Sequence, residues 1–277
     1  MTLSLFIYRV YFIQVKLTIS IAQMGVKQSD PEVNLRRGEA LIAEAARRKS
    51  DIITFPEMWT TGFGWVYNKA RLRDHEKVIE HIAGLARRYK IWINGSTLAL
   101  NEEGLPSNTS ILFDSSGKIA GTYRKIHLFS MIHENKHFAA GSRLCMVDTP
   151  WGPTALAICY DIRFPELFRA YAVKGAKIVF LSMAFPLSRI EHWKVLVRAR
   201  AIENQIYIVG TNQVGSEDLG PDGKVTYCGS SVIVDPWGET VVEAGQTEEE
   251  LLTTTIDMDR VDEVRSCLLY TSDAADE

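Results

Sequence analysis

TALAICYDIRFPELFRAYAVKG, residues 154–175, changes character twice. TALAIC is an apolar run of strand length, and Tyr160-Asp161-Ile162-Arg163 is a polar turn. PELFRAYAVKG then reads as a helix, opened by Pro165 and stopped at Gly175. A strand passing directly into a helix is the repeating unit of an α/β fold. It also leaves Cys159 at the strand end, just before a helix start. There the helix dipole favours a thiolate, and a free N–H can meet an oxyanion. Most free cysteines are inert core residues, so the rest of the chain has to supply this one with a purpose.

The alternation continues on both sides. AKIVFLSMA (176–184) is an apolar strand, and a long helix over 190–204 leads into QIYIVGTNQVG (205–215). The end is rich in strands: SSVIVD, the turn Pro236-Trp237-Gly238-Glu239, TVVEAG and LLTTTID. Upstream, KLTISIAQM (16–24) alternates Lys16, Thr18 and Ser20 with Leu17, Ile19 and Ile21. Ser29-Asp30-Pro31-Glu32 has capping-box spacing with Pro in the first turn, and predicts a helix through Lys49. DIITFPE (51–57) is a buried strand, 72–89 a second helix, and IWINGSTLAL, TSILFD and KIAGTYRK are strands. Ser115-Ser116-Gly117 joins the last two as a hairpin. Helix–strand alternation with intervening hairpins predicts an α/β sandwich with mixed sheets. Each half holds helices and strands, which suggests related halves, although no sequence period shows it.

Composition sets the outer limits. The chain has 277 residues, 46% of them hydrophobic and 23% charged, which fits a globular protein with a sizeable core. A formal net charge of −3 and the lack of a basic run with interleaved aromatics give no footprint for nucleic acid. The cysteines at 145, 159, 228 and 267 form no CxxC pair and no disulfide framework, which predicts a reducing, cytoplasmic setting. MTLSLFIYRVYFIQV is apolar but too short to span a bilayer, Arg9 interrupts it, and no cleavage site follows. Residues 1–15 are therefore expected to be an upstream extension outside the fold. CLLYTSDAADE (267–277) resembles the translation of a transposon-end adapter used in preparing sequencing libraries. It is expected to be a non-native tail, the natural chain continuing differently after about Ser266. The folded domain is thus expected over 16–266.

Functional groups on α/β scaffolds gather where strands end. Besides Cys159, two such ends carry candidates: Glu57 after DIITFP, and Lys125 closing GTYRK. Either could be bland, as a surface carboxylate or an edge-guarding lysine. A thiol nucleophile needs a base, and His127 and His192 are available for it. A glutamate beside a lysine could do the same work. The cation holds the glutamate ionised, the glutamate takes the thiol proton, and the lysine stabilises the oxyanion. A competing pattern is HENKH (133–137), whose His-Glu-x-x-His spacing matches zinc peptidases. Its helix has little room before Gly141, and no third ligand suggests itself.

FPEMW (55–59), YRKIHLF (123–129) and ICYDIRFPE (158–166) resemble, in order and separation, the three signature segments of the nitrilase superfamily of carbon–nitrogen hydrolases. The resemblance runs from about Lys16 to Arg265. HWKVLVRARAIENQIYIVGTNQVG and VIVDPWGE are similar to segments of its omega-amidase-like branch. It implies a four-layer α-β-β-α sandwich, paired as a homodimer or higher homo-oligomer, and an amidase without metal or organic cofactor. It implies Glu57 as base, Lys125 as cation, Cys159 as nucleophile and the backbone N–H of Tyr160 as an oxyanion donor. Glu134 becomes a second glutamate supporting Lys125, which takes it away from zinc. Asp161, Arg163 and Glu166 are expected to form an ion-pair network holding the cysteine turn. The implied substrates are small dicarboxylate monoamides such as 2-oxoglutaramate, with Arg189 as partner for the free carboxylate. Nitrile or N-carbamoyl hydrolysis on the same fold is the enzymatic alternative, and a catalytically silent binding module the other.

Overall fold

The computed structural model describes residues 14–220 and 223–268. Residues 1–13 of the expected extension and 269–277 of the expected tail lie outside the described residues. Two sheets face each other, and each carries helices on its outer side. In the first, Lys16–Gly25 runs parallel to Ile52–Thr54, and that strand parallel to Trp92–Leu100. Antiparallel hairpins then add Pro106–Phe113 and Ile119–Arg124. The second sheet runs in the order Thr240–Glu243, Val232–Val234, Tyr207–Thr211, Ile178–Ser182, Gly152–Ile158, Met146–Thr149. Its middle strands are parallel, as βαβ connection demands.

Side-chain alternation decides what each strand faces. Leu17, Ile19 and Ile21 point between the sheets, into a core shared with Leu156, Ile158 and Phe180. Ala22 and Met24 belong to a second core, with Ile42 and Ala45 of the helix Pro31–Arg47 and Ile82 and Leu85 of the helix His75–Tyr89. Thr18 and Ser20 point the same way but meet Thr255 and Thr253 hydroxyls, so the polar half of the pattern is satisfied across the ladder. Helices Pro165–Val173 and Ile190–Asn204 cover the second sheet, with Phe168, Trp193 and Val197 buried. The expected four-layer α-β-β-α sandwich is observed.

Local expectations needed adjustment in several places. The Ser29–Glu32 capping box does not form. Asp30 is the cap, accepting from the Val33 N–H at 3.1 Å, and valine at the third position has no carboxylate to reach back. The 72–89 helix is a 3-10 turn, Leu72–Asp74, followed by the α-helix His75–Tyr89. The guess of two related halves meets an exchange: Glu250–Asp257 leaves the C-terminal half and pairs antiparallel along Lys16–Gln23. The helix Trp65–Ala70, the hairpin Ser216–Asp218 with Lys224–Thr226, and the helix Arg260–Cys267 were not anticipated. No helix among the described residues is long and apolar enough to cross a membrane.

Candidate active site

Glu57, Lys125 and Cys159, far apart in the chain, meet where their strands end between the two sheets. Ile52–Thr54 breaks off at Phe55-Pro56, and the turn that follows carries Glu57 inward. Its backbone is fixed at both ends: the N–H donates to the Met183 carbonyl, and the carbonyl accepts from Gln213 Nε2 at 2.7 Å. Lys125 follows Ile119–Arg124, its N–H held by the Asn108 carbonyl at 3.0 Å. Cys159 follows Gly152–Ile158 with φ +42°, a left-handed conformation that a cysteine occupies only under constraint. The constraint is Asp161, fully buried. Its two oxygens accept from the Ile158 N–H, the Tyr123 hydroxyl, and both the N–H and Nδ1 of His127. The cysteine turn is thereby tied to the strand end that carries the lysine.

The Lys125 ammonium is buried between two carboxylates, 2.7 Å from Glu57 Oε1 and 2.7 Å from Glu134 Oε2. Glu134 Oε2 also accepts from the Phe129 N–H at 2.7 Å. Burial alone would pull Lys125 down, but the charges of Glu134 and Glu57 outweigh it and hold the ammonium well above its usual value. The Glu57 carboxyl is raised: burial pushes it up, the Lys125 charge opposes, and Glu134 adds to the rise. The Cys159 thiol is pushed well above its usual value, first by burial and then by the Glu57 charge. The helix dipole invoked for this thiol does not outweigh burial here, where Cys159 opens only the short 3-10 turn Cys159–Arg163. A thiol beside a carboxylate of raised basicity has the chemistry of a nucleophile with a base to take its proton.

The remaining candidates divide. The helix under HENKH is only Glu134–His137, its glutamate is taken by Lys125, and the His137 ring stacks on Trp65 at 4.4 Å. Among the described residues no group of three or more His, Cys, Asp or Glu side chains is placed to share a metal ion. Neither histidine considered as a base serves Cys159. His127 is spent on Asp161, and His192 accepts from Arg163 at 3.2 Å. The expected Asp161–Arg163–Glu166 network does not form, because Arg163 turns away from Asp161, over the Phe185 ring. Arg163 instead lines a small cleft over Cys159 with Phe129, Tyr160, Phe185 and Arg189. Arg189 leans over Phe129 and donates to Met131 Sδ at 3.1 Å. The larger surface hollows lie elsewhere and are lined by none of Glu57, Lys125, Glu134 and Cys159. Asn108, which bridges the two glutamates, is a residue of the cluster that sequence reasoning missed, and Arg163 one to which it gave a different place.

The sequence pattern of the carbon–nitrogen hydrolase family matches residues 18–266, so the chain belongs to that family. Within it, the chain is 34% identical over 255 residues to the 2-oxoglutaramate amidase of Bacillus subtilis (strain 168), covering 91% of this chain and 95% of that one. It is 32% identical over 247 residues to omega-amidase NIT2 of Mus musculus, covering 84% and 86%. The crystal structure of Saccharomyces cerevisiae Nit3, a member of branch 10 of the nitrilase superfamily, superposes with a TM-score of 0.81 at 28% identity, covering 93% and 96%. The protein is an enzyme of the nitrilase superfamily that hydrolyses amide C–N bonds.

Proposed function

We propose that the chain is an omega-amidase, releasing ammonia from small dicarboxylate monoamides such as 2-oxoglutaramate through a thioester on Cys159. The observation that carries this reading is the buried Lys125 ammonium clamped by Glu57 and Glu134 at the Cys159 turn. Glu57 takes the thiol proton as sulfur attacks the amide carbonyl carbon. Lys125 has spent two N–H donors on carboxylates, so the third is available to the oxyanion, and the Tyr160 N–H is the second donor of this reading. Collapse of the tetrahedral intermediate breaks the C–N bond, and ammonia leaves with the proton from Glu57. Water then gives a proton to Glu57 and attacks the thioester. Collapse returns the sulfur, which regains its proton, and frees the acid. Arg163 and Arg189 on the cleft rim, paired to no carboxylate among the described residues, suit the free carboxylate end of the substrate.

The test is ammonia release from matched amides, nitriles and N-carbamoyl amino acids, with intact-mass trapping of an acyl adduct. Dicarboxylate monoamides should lead, and the adduct should map to Cys159. Cys159→Ala should lose all turnover while staying folded. An adduct on Cys145 or Cys228, or preferred turnover of a nitrile, would overturn the assignment.

A further inference from the structure

Asn108 sits fully buried in the strand Pro106–Phe113, where its side chain meets both glutamates of the site. Its Nδ2 lies 2.8 Å from Glu57 Oε1 and 3.0 Å from Glu134 Oε1. An amide nitrogen carries two protons, so one can go to each carboxylate. The orientation of the amide follows from its other side. The Met58 backbone N–H can only donate, and it donates to Ser96 Oγ at 2.8 Å. That leaves the Ser96 hydroxyl proton for Asn108 Oδ1, 2.8 Å away, which turns Nδ2 toward the glutamates. A ring closes: the main chain just after Glu57 holds Ser96, Ser96 orients Asn108, and Asn108 holds the Glu57 side chain. The backbone carbonyl of Asn108 meanwhile holds the Lys125 N–H.

Two carboxylates and one ammonium leave the buried cluster one negative charge in excess when both carboxylates are ionised. Asn108 is the neutral donor that shares that excess. With Lys125 and Asn108 both on Oε1, the second oxygen of Glu57 is left for the Cys159 thiol. We infer that Asn108, oriented by Ser96, is a positioning residue that keeps Glu57 ionised and aimed at Cys159, and so sets the lower pH bound of activity. The inference rests on Glu57 acting as the base. The groups whose charge bears on Glu57 are Lys125 after its strand, Glu134 on its short helix, Cys159 on its turn, and Glu217 and Tyr227 on and beside the small hairpin. Removing a donor from a carboxylate disfavours its charged form, so loss of Asn108 moves the protonation of this coupled cluster to higher pH.

The experiment compares wild type, Asn108→Leu, Ser96→Ala and Glu57→Gln. It reads the pH dependence of kcat/KM for ammonia release from 2-oxoglutaramate and of iodoacetamide alkylation at Cys159, located by peptide mass spectrometry. Leucine has the branching of asparagine without its donors and keeps out a water that could replace them. The acid limb of Asn108→Leu should rise by about one pH unit. Its kcat should fall roughly 10- to 100-fold with little change in KM. Ser96→Ala, which frees the amide to turn, should shift the limb the same way by less. Should Asn108→Leu fail to fold, Ser96→Ala decides alone. An unmoved acid limb in the folded variants, or a loss confined to KM, overturns the inference. Glu57→Gln separates the two ideas: if it keeps turnover, the base assignment itself has failed and the role of Asn108 falls with it.

Discussion

The floor and the rim of the site both use cations, and use them oppositely. On the floor, Lys125 is 2% exposed and locked between two carboxylates that are themselves buried. At the rim, Arg163 and Arg189 are half-buried and rest on a histidine, aromatic faces and a thioether. On the floor the two carboxylates take two of the three ammonium protons of Lys125, and the third remains for charge that develops there. At the rim no carboxylate among the described residues pairs with either arginine, which leaves room for the anion proposed above. Charge is thus paired within the fold on the floor and left without an ionic partner at the rim.

The largest effect that would break this contrast lies on the floor. Lys125→Met should abolish turnover and also destabilise the protein by about 3–5 kcal/mol, because Glu57 and Glu134 would be buried without their shared cation. Denaturant unfolding at neutral pH reads the cost directly. It should shrink at acid pH, where the carboxylates are protonated. If Lys125→Met unfolds like wild type, the floor is wetter and looser than its geometry implies.

The same contrast explains what could be read from the sequence. Glu57, Lys125 and Cys159 stood out because each ends an apolar run, a pattern that physics links to strand ends facing a crevice. Glu134 needed a family pattern, since a short helix after a loop carries no periodicity. Asn108 was illegible: inside SNTSILF it looks like one more polar residue on a pleat, and only folding brings it to two glutamates. Arg163 was misread because Asp161 is near in sequence, while the turn sends the two side chains apart. The strand Glu250–Asp257 was legible as a strand but not as a partner of Lys16–Gln23, because pairing across the whole chain leaves no local trace.

The rim carries the second prediction. Arg189→Ala should cost on the order of 2–5 kcal/mol in kcat/KM for a dicarboxylate monoamide and little for a neutral amide of equal length. Arg163→Ala should show the same selectivity, with an added loss if the Phe185 contact shapes the cleft. Lysine at either position should restore only part, lacking the bidentate fork. Unfolding midpoints should hardly move, in contrast to Lys125→Met. Equal losses for charged and neutral amides would return the arginines to a structural role and place the carboxylate partner elsewhere.

The smallest effect tests a buried carboxyl that belongs to neither group. Glu217, on the strand Ser216–Asp218, is 3% exposed, and no lysine or arginine among the described residues pairs with it. One oxygen accepts from the Phe63 N–H and the Tyr227 hydroxyl, while the other has no hydrogen-bond partner among the described residues. Burial pushes its carboxyl up from 4.5 to about 7. The folded state therefore binds this proton more tightly than the unfolded chain does. The resulting stability is complete below about 4.5, is lost as pH rises through about 7, and stays lost above. Glu217→Gln keeps the shape and the acceptor but cannot ionise. It should match wild type near pH 4 and be the more stable protein near pH 8, by about 3 kcal/mol at most, or roughly 5–10 °C in Tm. Thermal unfolding of both proteins across that range gives the answer. A difference that is constant with pH would mean Glu217 does not titrate in the fold, and that its neighbours solvate its charge as Lys125 does for the glutamates on the floor.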